Sequence, residues 1–150
     1  MKRIVIPLSF LAMSLSALAG TCIDNFHVDD VVLDGYGIQG TVEDVSHPSE
    51  QPTVRWESEK VSRTLPQRLF LQSEEAQKPM CLSSHEQIVC VGNNVKINRI
   101  DVEGLVIGAN PCTHKALVHY MWRIPFTKNY SHRYKTLNLR DLAVLRQYNN

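Results

Sequence analysis

The residues best suited to chemistry lie in the last third of the 150-residue chain, where basic and aromatic side chains occur together. No Asp or Glu lies between residues 104 and 140. The cations and rings of that stretch are Lys115, Arg123, Lys128, Arg133, Lys135 and Arg140 with Tyr120, Trp122, Phe126, Tyr130 and Tyr134. Clustered cations attract anionic partners and stack on rings or sugars. The pattern therefore predicts binding chemistry.

We expect a long hairpin over residues 122–131 to present this surface, because loops carry function and rings give contact area at low entropy cost. The candidate ligand-binding residues are Trp122, Arg123, Phe126, Lys128, Tyr130, Arg133 and Tyr134. Two structural interpretations compete with a ligand surface. The rings could form cross-strand pairs that only stabilise the ribbon, or the cations could complement acids elsewhere in the chain.

Charge is unevenly distributed, which keeps the second interpretation open. Residues 20–103 contain 7 basic and 14 acidic side chains (7 − 14 = −7), and residues 104–150 contain 7 basic and 1 acidic (7 − 1 = +6). The formal net charge of the whole chain is only +1. A near-neutral chain makes nucleic acid the less favoured anionic partner.

Patterns typical of catalysis are absent from the sequence, which has no Gly-x-Ser-x-Gly, no His-Glu-x-x-His and no glycine-rich phosphate loop. His114 and His119 would lie on opposite faces of a strand, so the histidines are predicted to be solvated or core residues. Asp29, Asp30 and Asp34 lack the glycine spacing of a calcium-binding loop and are predicted to be turn residues. We therefore expect no enzyme, no cofactor and no metal.

The first residues are typical of an export signal. Lys2 and Arg3 precede an uncharged apolar stretch, and Ala17-Leu18-Ala19 offers a cleavage site for signal peptidase. Thr21 stands where a lipidated cysteine would be needed, which favours a soluble product. The prediction is a signal peptide over residues 1–19, a periplasmic or secreted mature chain and no membrane span.

Shifting the sequence by 64 residues reveals an internal repeat. Residues 26–58 align without gaps on residues 90–122, with four identities and a shared phase of apolar alternation. The identical pairs are Val31 with Val95, Gly40 with Gly104, Val42 with Val106 and Val54 with Val118.

Each copy has five segments with the alternation of short β-strands. They are residues 31–33, 40–45, 53–57, 61–65 and 69–71 in the first copy, with a 3₁₀ turn at 66–68, and 95–97, 102–107, 116–123, 132–137 and 142–145 in the second. The last segment also fits an amphipathic helix, since Leu139, Leu142 and Leu145 recur at helical spacing. We favour the strand because it matches the first copy.

Five short strands, a glycine in the second strand and a 3₁₀ turn before the last resemble the Src-homology-3-like barrel, including its bacterial and ribosomal-type relatives. The resemblance implies an all-β fold with two tandem five-stranded SH3-like small barrels, at residues 20–82 and 83–150. It fixes no ligand, because this fold supports many functions.

The four cysteines are even in number in an exported chain, which predicts two disulfides. First and last strands are neighbours in such a barrel, so the resemblance favours Cys22–Cys81 within the first copy. Cys90 and Cys112 lie symmetrically about a turn near residue 100, so they would face each other across a hairpin. Other pairings, particularly Cys81 with Cys90, stay open.

The sequence thus predicts a non-enzymatic, exported binding protein of the cell envelope. Its hairpin would contact an anionic or carbohydrate ligand or a protein partner. One alternative is an inhibitor or accessory subunit of an envelope enzyme, and another is a small hydrolase whose His and Asp groups are assembled only by the fold. Oligomeric state is not predicted.

Overall fold

The computed structural model describes residues 22–45, 50–73 and 78–146. The predicted signal peptide lies outside these residues. The described chain is all-β, with short 3₁₀ turns between strands and no α-helix. Among these residues, no helix is long and apolar enough to cross a membrane.

The first half folds into five antiparallel strands, each short because a turn signal follows within a few residues. They are β1 (Val31–Leu33), β2 (Gln39–Asp44), β3 (Thr53–Trp56), β4 (Val61–Arg63) and β5 (Phe70–Leu71). The chain runs as a meander from β1 to β4, makes a 3₁₀ turn at Pro66–Arg68, and returns so that β5 pairs with β1. Asp30 and Asp34 are turn residues, as predicted: Asp30 accepts a hydrogen bond from the backbone N–H of His27, and Asp34 from those of Tyr36 and Ile38.

Two further strands connect the halves. β6 (Cys81–Ser83) and β7 (Ile88–Cys90) form a separate two-stranded hairpin that the sequence pattern did not predict. Gln87 fixes this hairpin to the second half, because its Nε2 donates hydrogen bonds to the carbonyl oxygens of Leu139 and Leu142.

The second half uses the same strand order as the first. Its strands are β8 (Asn94–Ile97), β9 (Val102–Asn110), β10 (Lys115–Arg123), β11 (Tyr130–Asn138) and β12 (Leu142–Arg146). β8 to β11 form the meander, a 3₁₀ turn follows at Leu139–Asp141, and β12 returns to pair with β8. The final segment is a strand, as favoured above: Leu142 is buried and Leu145 exposed, which suits alternation along a strand.

Equivalent positions of the two halves have equivalent surroundings. The pairs Val42 with Val54 and Val106 with Val118 are cross-strand neighbours and all four residues are buried. The ladder skips Glu43 in the first half and Ile107 in the second, so a bulge occurs 64 residues apart in the two copies.

The shared glycine of the repeat lies under a closely packed neighbour in both halves. A Cβ atom on Gly40 would lie 2.6 Å from Cγ1 of Val54, and one on Gly104 would lie 2.6 Å from Cγ1 of Val118. No side chain fits at that distance, so both strands require glycine at the same phase.

The two disulfides differ from the pairing favoured above. Cys81 pairs with Cys90, because these residues are directly opposite each other in the β6–β7 hairpin. The predicted Cys90–Cys112 bridge is wrong: the chain turns at Val91 and Gly92, where Gly92 has φ +96°, so the β8–β9 hairpin does not extend back to Cys90.

The predicted Cys22–Cys81 bridge is wrong as well. Cys22 pairs with Cys112 across a sequence separation of 90 residues, with their Cα atoms 5.4 Å apart. Cys112 lies in the turn between β9 and β10. This disulfide therefore links the two halves instead of closing the ends of the first.

The halves also meet through the sheet and through buried side chains. Leu71 of β5 pairs with Ala109 of β9, which joins both sets of strands into one sheet. Leu33, Phe70 and Leu117 form a small buried cluster at this junction. Asn110 of β9 is fully buried and donates hydrogen bonds to the carbonyl oxygens of Pro66 and Leu69.

Candidate functional site

The predicted binding residues lie on the ribbon formed by β10 and β11 and on its tip. The two strands pair without a break from Lys115 opposite Asn138 to Arg123 opposite Tyr130. Residues 124–129 form the tip, where the N–H of Ile124 donates to the carbonyl of Asn129 and the N–H of Thr127 to that of Ile124. The tip is thus a closed turn with internal hydrogen bonds.

The register divides the candidates between two faces of the ribbon. Directly opposed residues share a face, and successive residues of a strand alternate between faces. Trp122 and Arg133 therefore share one face, and Arg123, Tyr130 and Tyr134 share the other. Phe126 and Lys128 lie between them, at the tip.

The rings nearest the tip are well exposed. Phe126 has a relative exposure of 107%, Tyr130 of 57% and Trp122 of 37%. Phe126 also has φ 65°, a left-handed backbone conformation that is uncommon for a bulky residue. A large apolar ring held fully in water has no role in packing the fold.

Tyr134 differs from the other candidate rings because it is part of an internal stack. Its ring lies 5.0 Å from that of His119, and the His119 ring lies 5.1 Å from that of His132. Below it, a Cβ atom on Gly37 would approach the Tyr134 ring to 2.5 Å. Tyr134 thus packs the ribbon against the β1–β2 turn, so this candidate has a structural role. The cross-strand interpretation of the rings applies to this residue.

The two stacked histidines share a hydrogen bond. Nε2 of His119 lies 2.8 Å from Nδ1 of His132, so one nitrogen donates and the other accepts. Burial, and secondarily the charge of His132, lower the pKa of His119 below its ordinary value. Within the described ranges, no three His, Cys, Asp or Glu residues converge as a metal-binding group.

The cations of the ribbon make contacts with neutral groups. Nε of Arg123 donates to the carbonyl of Thr127, and Nε of Arg133 to Oγ of Ser131. Ion pairs such as Arg55 with Glu43 and Lys96 with Asp101 lie within one half each.

A second feature, which sequence reasoning missed, is a groove at the base of the ribbon. Its volume is about 700 Å³, and both halves contribute to its lining. Among the lining residues are Tyr36, Trp56, Arg68, Thr113, Lys115 and Thr136. The sequence did show Tyr36 and Trp56 as aromatic residues of the first half. It gave no sign of the groove, because the other lining residues, such as Lys115, are distant in sequence.

Comparison with known proteins finds no match: no family model, no curated protein and no solved structure is similar to this chain.

Proposed function

We propose that this protein is an exported, non-enzymatic binding protein of the cell envelope. Its binding surface is the tip of the β10–β11 ribbon, which contacts an anionic or carbohydrate ligand or a protein partner. The residues proposed to bind are Trp122, Arg123, Phe126, Lys128, Tyr130 and Arg133. Two disulfides are typical of proteins in oxidising compartments, which supports export.

The observation that carries the proposal is the complete exposure of Phe126 among unpaired cations. Burying an apolar ring stabilises a complex by roughly 1.5–3 kcal/mol, and an exposed ring contributes nothing comparable to folding. Arg123 and Lys128 flank it without a carboxylate partner among the described residues. Rings and cations on one protruding turn are the composition of binding hot spots.

We also propose that the chain consists of two tandem SH3-like barrels that follow a cleaved signal peptide. The common strand order, the bulge repeated after 64 residues and the matching glycine contacts support a duplicated unit. The second copy differs chiefly in its longer third and fourth strands, which project the tip. On this proposal the duplication supplies the scaffold, and the extended ribbon supplies the binding surface.

The experiment is co-sedimentation of the oxidised mature protein with purified cell-wall sacculi at low and high salt. The test variant combines Trp122→Ala, Arg123→Ala and Phe126→Ala. The matched control combines Val61→Ala, Ile88→Ala and Arg99→Ala, which also removes two exposed apolar side chains and one exposed cation. Both variants must retain the circular dichroism spectrum of the parent.

We expect the parent and the control to sediment with sacculi and the test variant to remain in solution. Loss of binding at high salt would assign the contact to the cations, because salt screens exposed charges. Persistence at high salt would assign it to ring stacking. Equal sedimentation of the test variant and the control would contradict the proposed surface.

A protruding tip also suits the alternative function, an inhibitor or accessory subunit of an envelope enzyme. The closed turn carrying Phe126 has the form of a segment that inserts into a concave partner. Failure to bind sacculi, together with capture of one envelope enzyme by the parent and not by the test variant, would favour this alternative.

A further inference from the structure

The groove at the base of the ribbon is a second place where rings and cations converge. Its residues come from the β1–β2 turn, the β3–β4 hairpin and the Pro66–Arg68 3₁₀ turn of one half, and from the start of β10 and the end of β11 of the other. Lys115 at the groove and Arg123 near the tip are eight residues apart on β10. That spacing is about 26 Å along a strand, so the groove is separate from the proposed binding tip.

Hydrogen bonds hold the Trp56 ring of the groove and the backbone turn that carries Tyr36. Nε1 of Trp56 donates to Oγ of Ser62 at 3.0 Å. The backbone N–H groups of Tyr36 and Ile38 donate to Oδ1 of Asp34, which fixes the turn that carries the Tyr36 ring. Tyr36 nevertheless has a relative exposure of 79%. A ring oriented in advance, such as that of Trp56, binds a flat ligand at a lower entropy cost.

Two cations of the groove have no acidic partner among the described residues. Arg68 ends the Pro66–Arg68 3₁₀ turn and Lys115 begins β10, and neither takes part in the ion pairs of the described residues. Asp34 also lines the groove and accepts two backbone N–H groups at Oδ1, so two cations share the groove with one carboxylate. The groove therefore attracts a carboxylate, for which guanidinium and ammonium groups are strong donors.

Neutral polar groups complete the lining. Ser62, Thr64, Thr113 and Thr136 supply hydroxyls, and Gln67 supplies an amide. Oγ1 of Thr113 is buried and has no hydrogen-bond partner within the described ranges, which is uncommon for a buried hydroxyl. Many hydroxyls around two rings match the many hydroxyls and the apolar ring faces of a sugar.

From this combination, we propose that the groove binds an acidic saccharide. A sugar ring packs against Tyr36 or Trp56, its carboxylate is held by Arg68 and Lys115, and its hydroxyls bind the polar lining. The volume is within the range of small-ligand sites, roughly 300–1,000 Å³. Because the lining comes from both halves, neither half alone would contain this site.

The test uses the fact that the chain has two tryptophans, Trp56 in the groove and Trp122 near the tip. In a Trp122→Phe background, one indole N–H resonance remains in a ¹H–¹⁵N spectrum, and it reports on the groove. The probes are tetragalacturonic acid and a hyaluronan tetrasaccharide, each compared with its methyl ester. The ester keeps the sugar rings and removes the charge, so the comparison requires no change in the protein.

We expect at least one acid to shift the Trp56 resonance in a saturable manner and its ester to bind about tenfold more weakly. Arg68→Gln and Lys115→Gln should each weaken binding about fivefold or more. Arg63→Gln, an exposed cation of β4 outside the groove, should have no effect. No shift with either acid up to about 10 mM, equal binding of acid and ester, or wild-type binding by both groove variants would overturn the proposal. Because the remaining indole is that of Trp56, which lines the groove, its resonance reports on the groove and not on the tip.

Discussion

Asn110 is the polar side chain on which the junction of the two halves depends. It is fully buried, and its Nδ2 donates to the carbonyl oxygens of Pro66 and Leu69 at 3.0 and 2.9 Å. Its Oδ1 accepts from the backbone N–H groups of Cys112 and Thr113 at 2.7 and 3.1 Å. One side chain thus connects the 3₁₀ turn of the first half to the β9–β10 turn of the second.

Replacing Asn110 with alanine would remove its hydrogen bonds to two carbonyls and to two partly buried N–H groups. The Pro66 carbonyl would keep the N–H of Leu69 as a donor. The loss therefore falls on three groups, the carbonyl of Leu69 and the N–H groups of Cys112 and Thr113. Each unsatisfied buried group costs about 1–3 kcal/mol. Water entering the vacated space recovers part of that cost, so we expect a loss of about 3–5 kcal/mol. For a chain of this size the melting temperature should fall by about 10–15 °C.

Asn110→Asp separates hydrogen bonding from simple loss of volume. Aspartate keeps the acceptor oxygen but places a second oxygen where Nδ2 faces two carbonyl oxygens, and it adds a buried charge. It should therefore destabilise at least as much as alanine at pH 7, although it is nearly isosteric with asparagine. Exposed Asn98→Ala is the control and should change stability by less than about 0.5 kcal/mol.

The measurement is urea unfolding of the oxidised proteins, followed by far-ultraviolet circular dichroism. The order of stability should be parent equal to Asn98→Ala, then Asn110→Ala, with Asn110→Asp equal to or below it. A loss smaller than about 1 kcal/mol for Asn110→Ala, or parent-like stability of Asn110→Asp, would refute the role of this side chain.

Three further predictions concern the ribbon and the disulfides. Gly37→Ala should lower the free energy of unfolding by about 2–3 kcal/mol, and Gly92→Ala by about 1–2 kcal/mol, both measured by urea unfolding. Both glycines have positive φ, but only Gly37 lies under the Tyr134 ring. Equal losses in the two variants would exclude a contribution from the ring contact. Because the pKa of His119 is lowered in the folded protein, the unfolded chain binds more protons, so the stability that His119 contributes is fully present above its ordinary pKa of about 6.5 and is lost as the pH falls from there through the lowered pKa. Urea midpoints at pH 7.5 and 5.5 should therefore differ less in His119→Gln than in the parent. A parent midpoint that rises on acidification would contradict the direction of this effect. Replacing Cys22 and Cys112 with serine should lower the free energy of unfolding by about 4.5 kcal/mol, and replacing Cys81 and Cys90 by about 2.5 kcal/mol, because the first disulfide closes a longer loop. If thermal unfolding showed the reverse order, loop entropy would not be the origin of the stabilisation.

The strands could be predicted because apolar alternation reflects burial directly. Val42, Val54, Val106 and Val118 recur with period two beside polar neighbours, and all four are buried. The 64-residue shift predicted equivalent strands, because both segments carry a glycine and buried valines at the same phase of the alternation. Strand boundaries then agreed to within a few residues, except that β9 continues to Asn110 and joins the halves.

The presence of two disulfides was predicted, but their pairing was not, because it depends on a hairpin with little sequence signal. Residues 81–90 contain only three-residue strands on either side of a polar turn. That short segment folds back and brings Cys81 and Cys90 together, which leaves Cys22 and Cys112 for a long-range bridge. Local turn chemistry thus decided a pairing that fold resemblance assigned differently.

The candidate site was predicted as a segment but not as a surface. Adjacent strand residues point to opposite faces, so Trp122 and Arg123 could already have been placed apart from sequence alone. The stacking of Tyr134 over Gly37 required tertiary contact between residues 97 positions apart, as did the groove that combines Tyr36 with Lys115. Sites assembled between the halves leave no local pattern in the sequence.

The central claim is that the ribbon tip binds and does not stabilise the fold, and Phe126→Ala tests it most directly. Because the Phe126 ring is fully exposed, the variant should keep the parent urea midpoint within about 0.5 kcal/mol. Its co-sedimentation with sacculi should weaken about tenfold, while exposed Ile88→Ala binds like the parent. A variant that binds sacculi as tightly as the parent, or that loses stability instead of binding, would contradict the claim.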